Sequence, residues 1–422
     1  MELYIKINEN DNQFLIKTEL YYKIININII ILLLLITHIK IEFLGNKIEN
    51  QIKRFIKYKK RNDITKYYYE KDLINIKNYV KFLKEKTFDN IYFDSIKYPK
   101  VSFIISVHNK EKYLKPFLFS IQSQDLKDFE IIIVDDCSTD KSIDIIKEFR
   151  KNDRRIKLIE NKNNMGSLYS RYKGFSYSKG EFIIFFDSDD IVLKNGILKA
   201  YNYIKNKNLD IVQFNSILEK NNTPFVINKR YYKYYNIIIN QPILSYIFYY
   251  DEYNSKGNEY NTALWDKIIK REVVFNSFKY IGEQLLNEKI SIENDVIILF
   301  SLFKKAKSFQ YIDEFGYYYF FTNPDSITNT RYNPTKSNQI IHSIFTNIKY
   351  LYENTGNSYF EKYFCLYKLE QGIFRYKNCF KHLNKGYELI ENVINILLES
   401  NFVSLNNKIK IKNLTKDLFI NI

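Results

Sequence analysis

The sequence predicts an α/β fold, a mostly parallel sheet covered by helices on both faces. Between Val101 and Phe214, short apolar runs alternate with amphipathic stretches, the pattern of repeated strand–helix units. Those apolar runs are unbroken rather than alternating, as in strands buried on both faces. A third observation locates the working edge: Ser106, Asp135, Asp136, Asp187 and Asp189 all fall at carboxyl ends of expected strands. In open sheets of this kind ligands bind outside those ends.

The elements are expected in the following order. Pro99 resets the chain, and Val101–Val107 (VSFIISV) is the first strand. Glu111–Gln124 is an amphipathic helix. Glu130–Val134 is the second strand, ending in Asp135 and Asp136. Ser138–Lys151 is a helix whose opening residues Ser138, Thr139 and Asp140 are suited to cap it. Ile156–Glu160 is the third strand, Gly166–Ser178 a helix, and Glu181–Phe186 the fourth strand. The apolar run Phe182–Phe186 delivers Asp187, Asp189 and Asp190. Asn195–Lys207 is a further helix and Ile211–Phe214 a fifth strand. Downstream, Asp295–Lys304 is expected to be helical, Gln310–Phe321 a strand pair, and Thr335–Tyr352 and Tyr359–Ser400 amphipathic helices. Residues 216–260 form a Tyr-, Asn- and Ile-rich insertion without a firm pattern.

Before the sheet, Leu20–Thr37 (LYYKIININIIILLLLIT) is apolar but interrupted by Asn26 and Asn28. A bilayer-spanning helix needs roughly 20 residues, so one membrane span over 20–40 is expected. A buried core helix, an interfacial helix or an uncleaved signal are the alternatives. The basic run Lys53–Arg61 reads as a juxtamembrane segment on anionic lipid or as a solvated helix face. Its charge places the bulk of the chain on the cytosolic side. The expected organisation is a tail with the span over 1–45, a basic helical stem over 46–98, a catalytic-type domain over 99–328 with its core at 99–215, and a helical region over 329–422.

Composition narrows the partners. The 422 residues carry 64 Lys+Arg against 48 Asp+Glu, a net +16, which favours anionic ligands. Nucleic acid is disfavoured because no helix-turn-helix, zinc-finger or RNP-type motif occurs. Cys137, Cys365 and Cys379 are too scattered for a disulfide framework, and the four His show no paired ligand spacing. No GxGxxG follows the first strand and no GxxxxGK[ST] is present, which disfavours a dehydrogenase or a P-loop NTPase. Carboxylates at the end of a buried strand are costly to leave unpaired. A divalent cation or a sugar hydroxyl would satisfy them. An Asp-x-Asp of hard oxygens suits Mg²⁺ or Mn²⁺ clamping a diphosphate.

Four blocks carry a family likeness. PKVSFIISVHNKEKYL, DFEIIIVDDCSTD, NMGSLYSRYKG and GEFIIFFDSDD resemble, in order and spacing, the successive motifs of family 2 glycosyltransferases with the GT-A fold, across Pro99–Asn215. A looser likeness runs through Thr262–Glu272, Ile292–Tyr319 and Pro324–Thr328. The resemblance implies a Rossmann-like GT-A domain that moves a sugar from a nucleotide-diphosphate donor, UDP-linked by expectation, to a glycan, lipid or protein hydroxyl. It implies donor contacts at Ser106, Asn109, Asp136, Arg171, Asp187 and Lys267, a Mg²⁺ or Mn²⁺ site at Asp189 and Asp190, and Asp295 as the base of an inverting transfer. By analogy with type II transferases it also implies the lumenal side of an endomembrane, against the charge rule. This chain departs from the pattern in having Asn294 where an acid is usual, His108 for an aromatic, and Cys137 for Gly or Asn. Glu293 is a neighbouring alternative to Asp295. Structural roles remain open for several of these: turn and cap for Asp135 and Asp136, helix N-cap for Asp190, surface ion pair for Arg171, and core aromatic for Trp265. A nucleotide-sugar-binding protein without catalysis and a membrane-surface scaffold are the competing functions.

Overall fold

A computed structural model describes residues 75–86, 92–220, 223–226, 238–240, 263–290, 292–320 and 337–355, together with residues 364, 365, 368 and 372. The chain clusters into two units, Met1–Lys60 and Arg61–Ile422, and every described residue lies in the second. The expected membrane segment at 20–40, the basic run, most of the 216–260 insertion and most of the C-terminal region lie outside the described residues. Among the described residues no helix is long and apolar enough to cross a membrane.

A helix over 75–85, α1, precedes the sheet, and its Val80 and Leu83 are buried in the main core. The sheet then builds from its centre. β1 (Val101–Val107) pairs in parallel with β2 (Phe129–Asp135) on one side and β4 (Phe182–Asp187) on the other. β3 (Ile156–Glu160) adds in parallel to β2. α2 (Glu111–Gln122), α3 (Ser142–Asn152), α4 (Ser167–Tyr177) and α5 (Gly196–Asn206) alternate with the strands. β1, β2 and β4 are buried almost throughout, whereas the outer β3 is only partly so. This is why the inner strands read as unbroken apolar runs.

Past β4 the order departs from the simple expectation. The described residues form a ten-stranded sheet in which β5 (Ile191–Val192), β6 (Ile211–Lys220), β9 (Lys267–Lys270) and β10 (Ser308–Phe320) extend the path as β3-β2-β1-β4-β9-β6-β10-β5. β7 (Thr223–Val226) and β8 (Ile238–Asn240) flank β6 and β10. β9 is antiparallel to both β4 and β6, so the fifth expected strand does not adjoin the fourth. α6 (Arg271–Ile281) follows β9, and the single turn α7 (Glu283–Leu286) leads towards α8 (Asn294–Lys305). The expected strand pair over Gln310–Phe321 is one strand, β10, kept continuous by register irregularities between Tyr311, Phe315 and Tyr317. Such irregularities bend a strand and re-aim its side chains. α9 (Ser337–Asn354) packs behind α8, where Tyr350 meets Ser301 through their hydroxyls, 2.9 Å apart.

α3 starts at Ser142 rather than Ser138 because the intended capping residues are engaged elsewhere. Ser138 Oγ accepts the Asn109 N–H (3.0 Å), and Asn109 Oδ1 accepts the Thr139 N–H (2.8 Å). Asp140 accepts the N–H groups of Glu111 (3.0 Å) and Ser142 (2.9 Å). The loops after β1 and β2 are thereby zipped together, with Asn109 in the left-handed region at φ 53°.

Gly166 fixes the entry to α4 at φ 86° and ψ 163°, a region that only glycine adopts freely. A Cβ there would also meet the Ile290 carbonyl oxygen at 2.8 Å. Gly166→Ala is expected to cost about 1–3 kcal/mol, read as a lower thermal midpoint; an unchanged midpoint would contradict this account of the turn.

Candidate active site

The parallel pairing brings the acidic strand ends into one row. Val107 lies opposite Asp135 and Ser106 opposite Asp187, placing the ends of β2, β1 and β4 side by side. Ser188 crosses back to β1, its hydroxyl donating to the Ser106 carbonyl at 3.1 Å.

Arg171, on α4, reaches into this edge from below and is 4% exposed. Its Nη2 donates to Asp187 Oδ1 at 2.7 Å. Its Nη1 donates to both Asn294 Oδ1 and Asp295 Oδ1 at the start of α8. Asn294 Nδ2 donates to Ser167 Oγ at 2.7 Å, returning to the first turn of α4. One guanidinium thus ties β4, α4 and α8 together. The Asp187 and Asp295 side chains stay 31% and 24% exposed and face outwards. Burial pushes the Asp187 carboxyl up to about 6, against the opposing pull of Arg171 and with the Asp295 and Asp189 charges adding to the rise. Two carboxylates already answer the one guanidinium, so the neutral amide of Asn294 supplies a third acceptor without adding charge. Glu293 sits in the left-handed residue ahead of the helix, at φ 53°.

Asp189 and Asp190 part company. Asp189 Oδ2 accepts from Lys110 Nζ at 2.6 Å, a pair with side chains 14% and 15% exposed. Burial works against the Lys110 charge, but Asp189, Asp187 and Asp190 outweigh it and raise its affinity for a proton. Asp190 is 2% exposed and turned towards β10. Its Oδ2 accepts from Tyr317 OH at 2.8 Å and its Oδ1 from the Phe320 N–H at 2.9 Å. Burial and the neighbouring carboxylates push the Asp190 carboxyl well above the usual range. Both Asp190 oxygens are taken up by donors from β10, so where a metal role was expected the residue fastens the turn after β4 to β10. Tyr317 is sealed between Trp265 and Phe186, stacked at centroid distances of 4.5 and 5.7 Å. Trp265 is a core aromatic.

The other expected contacts are distributed unevenly. Both oxygens of Asp136 are spent on the protein: Oδ1 accepts from Asn161 Nδ2 and the Met165 N–H, and Oδ2 from the Gly166 N–H, all at 2.8 Å. Asp135, one residue earlier, accepts the Ser138 N–H at 2.9 Å through Oδ2, while its buried Oδ1 has no hydrogen-bond partner among the described residues. His108 Nδ1 lies 2.9 Å from the Asp136 carbonyl, which can only accept, so Nδ1 carries the hydrogen and Nε2 accepts from Asn164 Nδ2 at 3.2 Å. Lys267 lies away from this row, 0% exposed, donating to Asp266 Oδ1 and the Ala263 carbonyl, both at 2.7 Å. It has no access to a ligand here, and its burial follows from β9 lying inside the sheet. Lys110, Asn294 and Tyr317 are the site residues to which sequence reasoning gave no role, while Asp135 was placed at the working edge.

A divalent cation fits this edge only in part. Among the described residues no three His, Cys, Asp or Glu side chains converge as a ready cage. Asp187 and Asp189 offer hard oxygens two residues apart in the one turn that follows β4. Mg²⁺ is commonly held by one or two carboxylates plus substrate phosphates, and these two residues suit that arrangement.

The fold and edge define a GT-A-type domain, a parallel-dominant α/β sheet with acidic loops at its carboxyl ends. S. aureus TarS 1–349 in complex with UDP-GlcNAc shares the fold with a TM-score of 0.51 at 20% identity, over 75% of this chain and 83% of that one. Residues 102–269 match the model of glycosyl transferase family 2. The cholesterol galactosyltransferase of Borreliella burgdorferi is 30% identical over 232 residues, 53% of this chain and 60% of the relative. The GalNAc(5)-diNAcBac-PP-undecaprenol beta-1,3-glucosyltransferase of Campylobacter jejuni is 36% identical over 123 residues, 29% of this chain and 40% of the relative. The chain thus spans between about two fifths and three fifths of the length of these two curated relatives.

Removing Arg171 leaves two carboxylates and an amide oxygen without their cation. Arg171→Met is expected to cost about 3–5 kcal/mol, the usual penalty for breaking a buried pair. Arg171→Lys should recover little of it, because one ammonium cannot span both sides as a planar fork does. Chemical unfolding of the two variants checks this, and a Lys variant as stable as the wild type would contradict the bridging role.

Proposed function

We propose that the chain is a glycosyltransferase that moves a sugar from a nucleotide-diphosphate donor to an acceptor hydroxyl with inversion. The observation that carries this reading is the shared guanidinium. Arg171 holds a strand-end carboxylate, Asp187, and a part-exposed carboxylate on another element, Asp295, at one edge of the sheet. A donor platform and a proton acceptor need this juxtaposition, with reacting groups pre-positioned rather than brought together by chance.

In this reading Asp187 and Asp189 face the donor diphosphate. Mg²⁺ or Mn²⁺ held by these two would supply Lewis-acid neutralisation of the leaving diphosphate. Asp295 accepts the proton of the acceptor hydroxyl as its oxygen forms a bond to the anomeric carbon. The bond from that carbon to the diphosphate oxygen breaks on the opposite face, and the electron pair leaves with the nucleotide. UDP is the favoured nucleotide, supported by the UDP-GlcNAc complex of the structural neighbour. The sterol and undecaprenol-linked acceptors named for two relatives support a lipid or lipid-linked glycan acceptor. Membrane attachment through 20–40 rests on the sequence.

Asp295→Asn is expected to reduce transfer by roughly a hundredfold to ten-thousandfold, the range of general-base contributions, with donor affinity within about twofold of wild type. Transfer assays with a panel of UDP-, GDP- and dTDP-sugars, paired with calorimetry, measure both. Near-normal transfer by this variant would sink the base assignment.

A further inference from the structure

Each carboxylate in the Asp187–Asp190 turn already has an internal counter-group, and the three differ in how firmly they are held. Asp187 is paired with Arg171, which is buried and shared among three acceptors. Asp190 is bonded to Tyr317 and Phe320 behind the aromatic stack. Asp189 is paired with the ammonium of Lys110, and this counter-group differs in kind. Lys110 is a compact charge on a flexible four-carbon stem, it is reached by solvent, and it stands directly before α2. Its backbone is fixed separately, the Lys110 N–H donating to Ser142 Oγ at 2.8 Å. The ammonium can therefore leave Asp189 while the backbone stays in place.

We propose that Lys110 is a placeholder cation for Asp189, a positioning residue that balances this carboxylate in the free protein and yields it when a divalent cation enters. The inference rests on reading this edge as a metal-assisted nucleotide-sugar site. Its physical basis is competition. A carboxylate at this depth, beside Asp187 and Asp190, is costly to leave uncompensated, and Lys110 meets that cost until a stronger cation arrives. The same competition sets a threshold, because the ion must repay the lost Lys110–Asp189 pair before it gains anything from Asp189. A donor diphosphate arriving with the ion adds phosphate ligands and offers the released ammonium an anionic partner. Lys110 thereby disfavours loading by the bare ion and favours loading by ion and donor together.

The test is binding of Mn²⁺ alone, read from the electron paramagnetic resonance signal of the free ion and from calorimetry. It compares wild type, Lys110→Met, Lys110→Gln and the double variant Lys110→Met with Asp189→Asn. Both single variants are expected to bind Mn²⁺ about tenfold more tightly than wild type, equivalent to about 1.4 kcal/mol, and the double variant should lose that gain. Thermal midpoints near that of wild type show that the single variants fold. Affinity equal to or weaker than wild type in both single variants overturns the proposal. So does a lack of measurable Mn²⁺ binding in every protein, or a gain that survives loss of Asp189. UDP binding by the wild type with Mn²⁺ is measured in parallel: its absence refutes the donor-site reading itself, whereas its presence with unchanged Mn²⁺ affinities refutes the Lys110 role alone.

Discussion

The buried guanidinium of Arg171 is the constraint on which the rest of the site depends. It sits where three elements meet, answering Asp187 at the end of β4 and both Asn294 and Asp295 at the start of α8. A cation buried this deeply is tolerated only with its partners in place. The demand therefore runs in both directions: the carboxylates fix the helix that carries Arg171, and Arg171 fixes the carboxylates. Its Nε is buried without a hydrogen-bond partner among the described residues, so the guanidinium is held from its Nη side alone. Asn294 looks like a defect beside the family pattern. At this junction it is an adjustment of charge, keeping a third acceptor while leaving the balance at two carboxylates.

Around that centre the sheet is shaped to leave an acidic edge exposed at low cost. The irregular β10 brings Tyr317 under the turn after β4, and the Phe186–Tyr317–Trp265 stack supports it from below. The loops after β1 and β2 are zipped by reciprocal bonds between Asn109 and the pair Ser138 and Thr139. Asp136 fastens the Met165–Gly166 corner from the other side. A rigid rim of this kind holds functional carboxylates within small tolerances, which catalysis by positioning requires.

Much of this was legible in the sequence, for physical reasons that also explain what was not. β1 falls where its apolar run predicted, since a run buried between two helical layers admits little slippage; the outer, part-buried β3 also keeps its expected bounds through its parallel pairing with β2. β9 was hidden because its apolar signal is only Ile268 and Ile269 between two lysines. One of those, Lys267, is fully buried on a counter-ion from the preceding residue, which no periodicity reveals. The α3 start was misplaced because Ser138 and Thr139 bond across to Asn109 in the β1 loop, leaving Asp140 to bond both Glu111 and the first residue of the helix, Ser142. Asp135 and Asp136 are adjacent at a strand end, and that both Asp136 oxygens are taken up depends on the Asn161–Gly166 loop, remote in sequence. Lys110 was invisible for a plainer reason, since Lys is so abundant in this chain that a single one carries no signal, and Asn294 stood out only as a departure from the family pattern. Only their partners across 79 and 123 positions give them meaning.

The most direct test is a crystal structure of the protein with a non-hydrolysable UDP-sugar and Mn²⁺. The account predicts the diphosphate and ion at Asp187 and Asp189, the anomeric carbon on the side facing Asp295, and Arg171 still bridging the two carboxylates. A donor bound elsewhere on the molecule, or bound at this edge with Asp295 turned away and the Arg171 bridge broken, would contradict it.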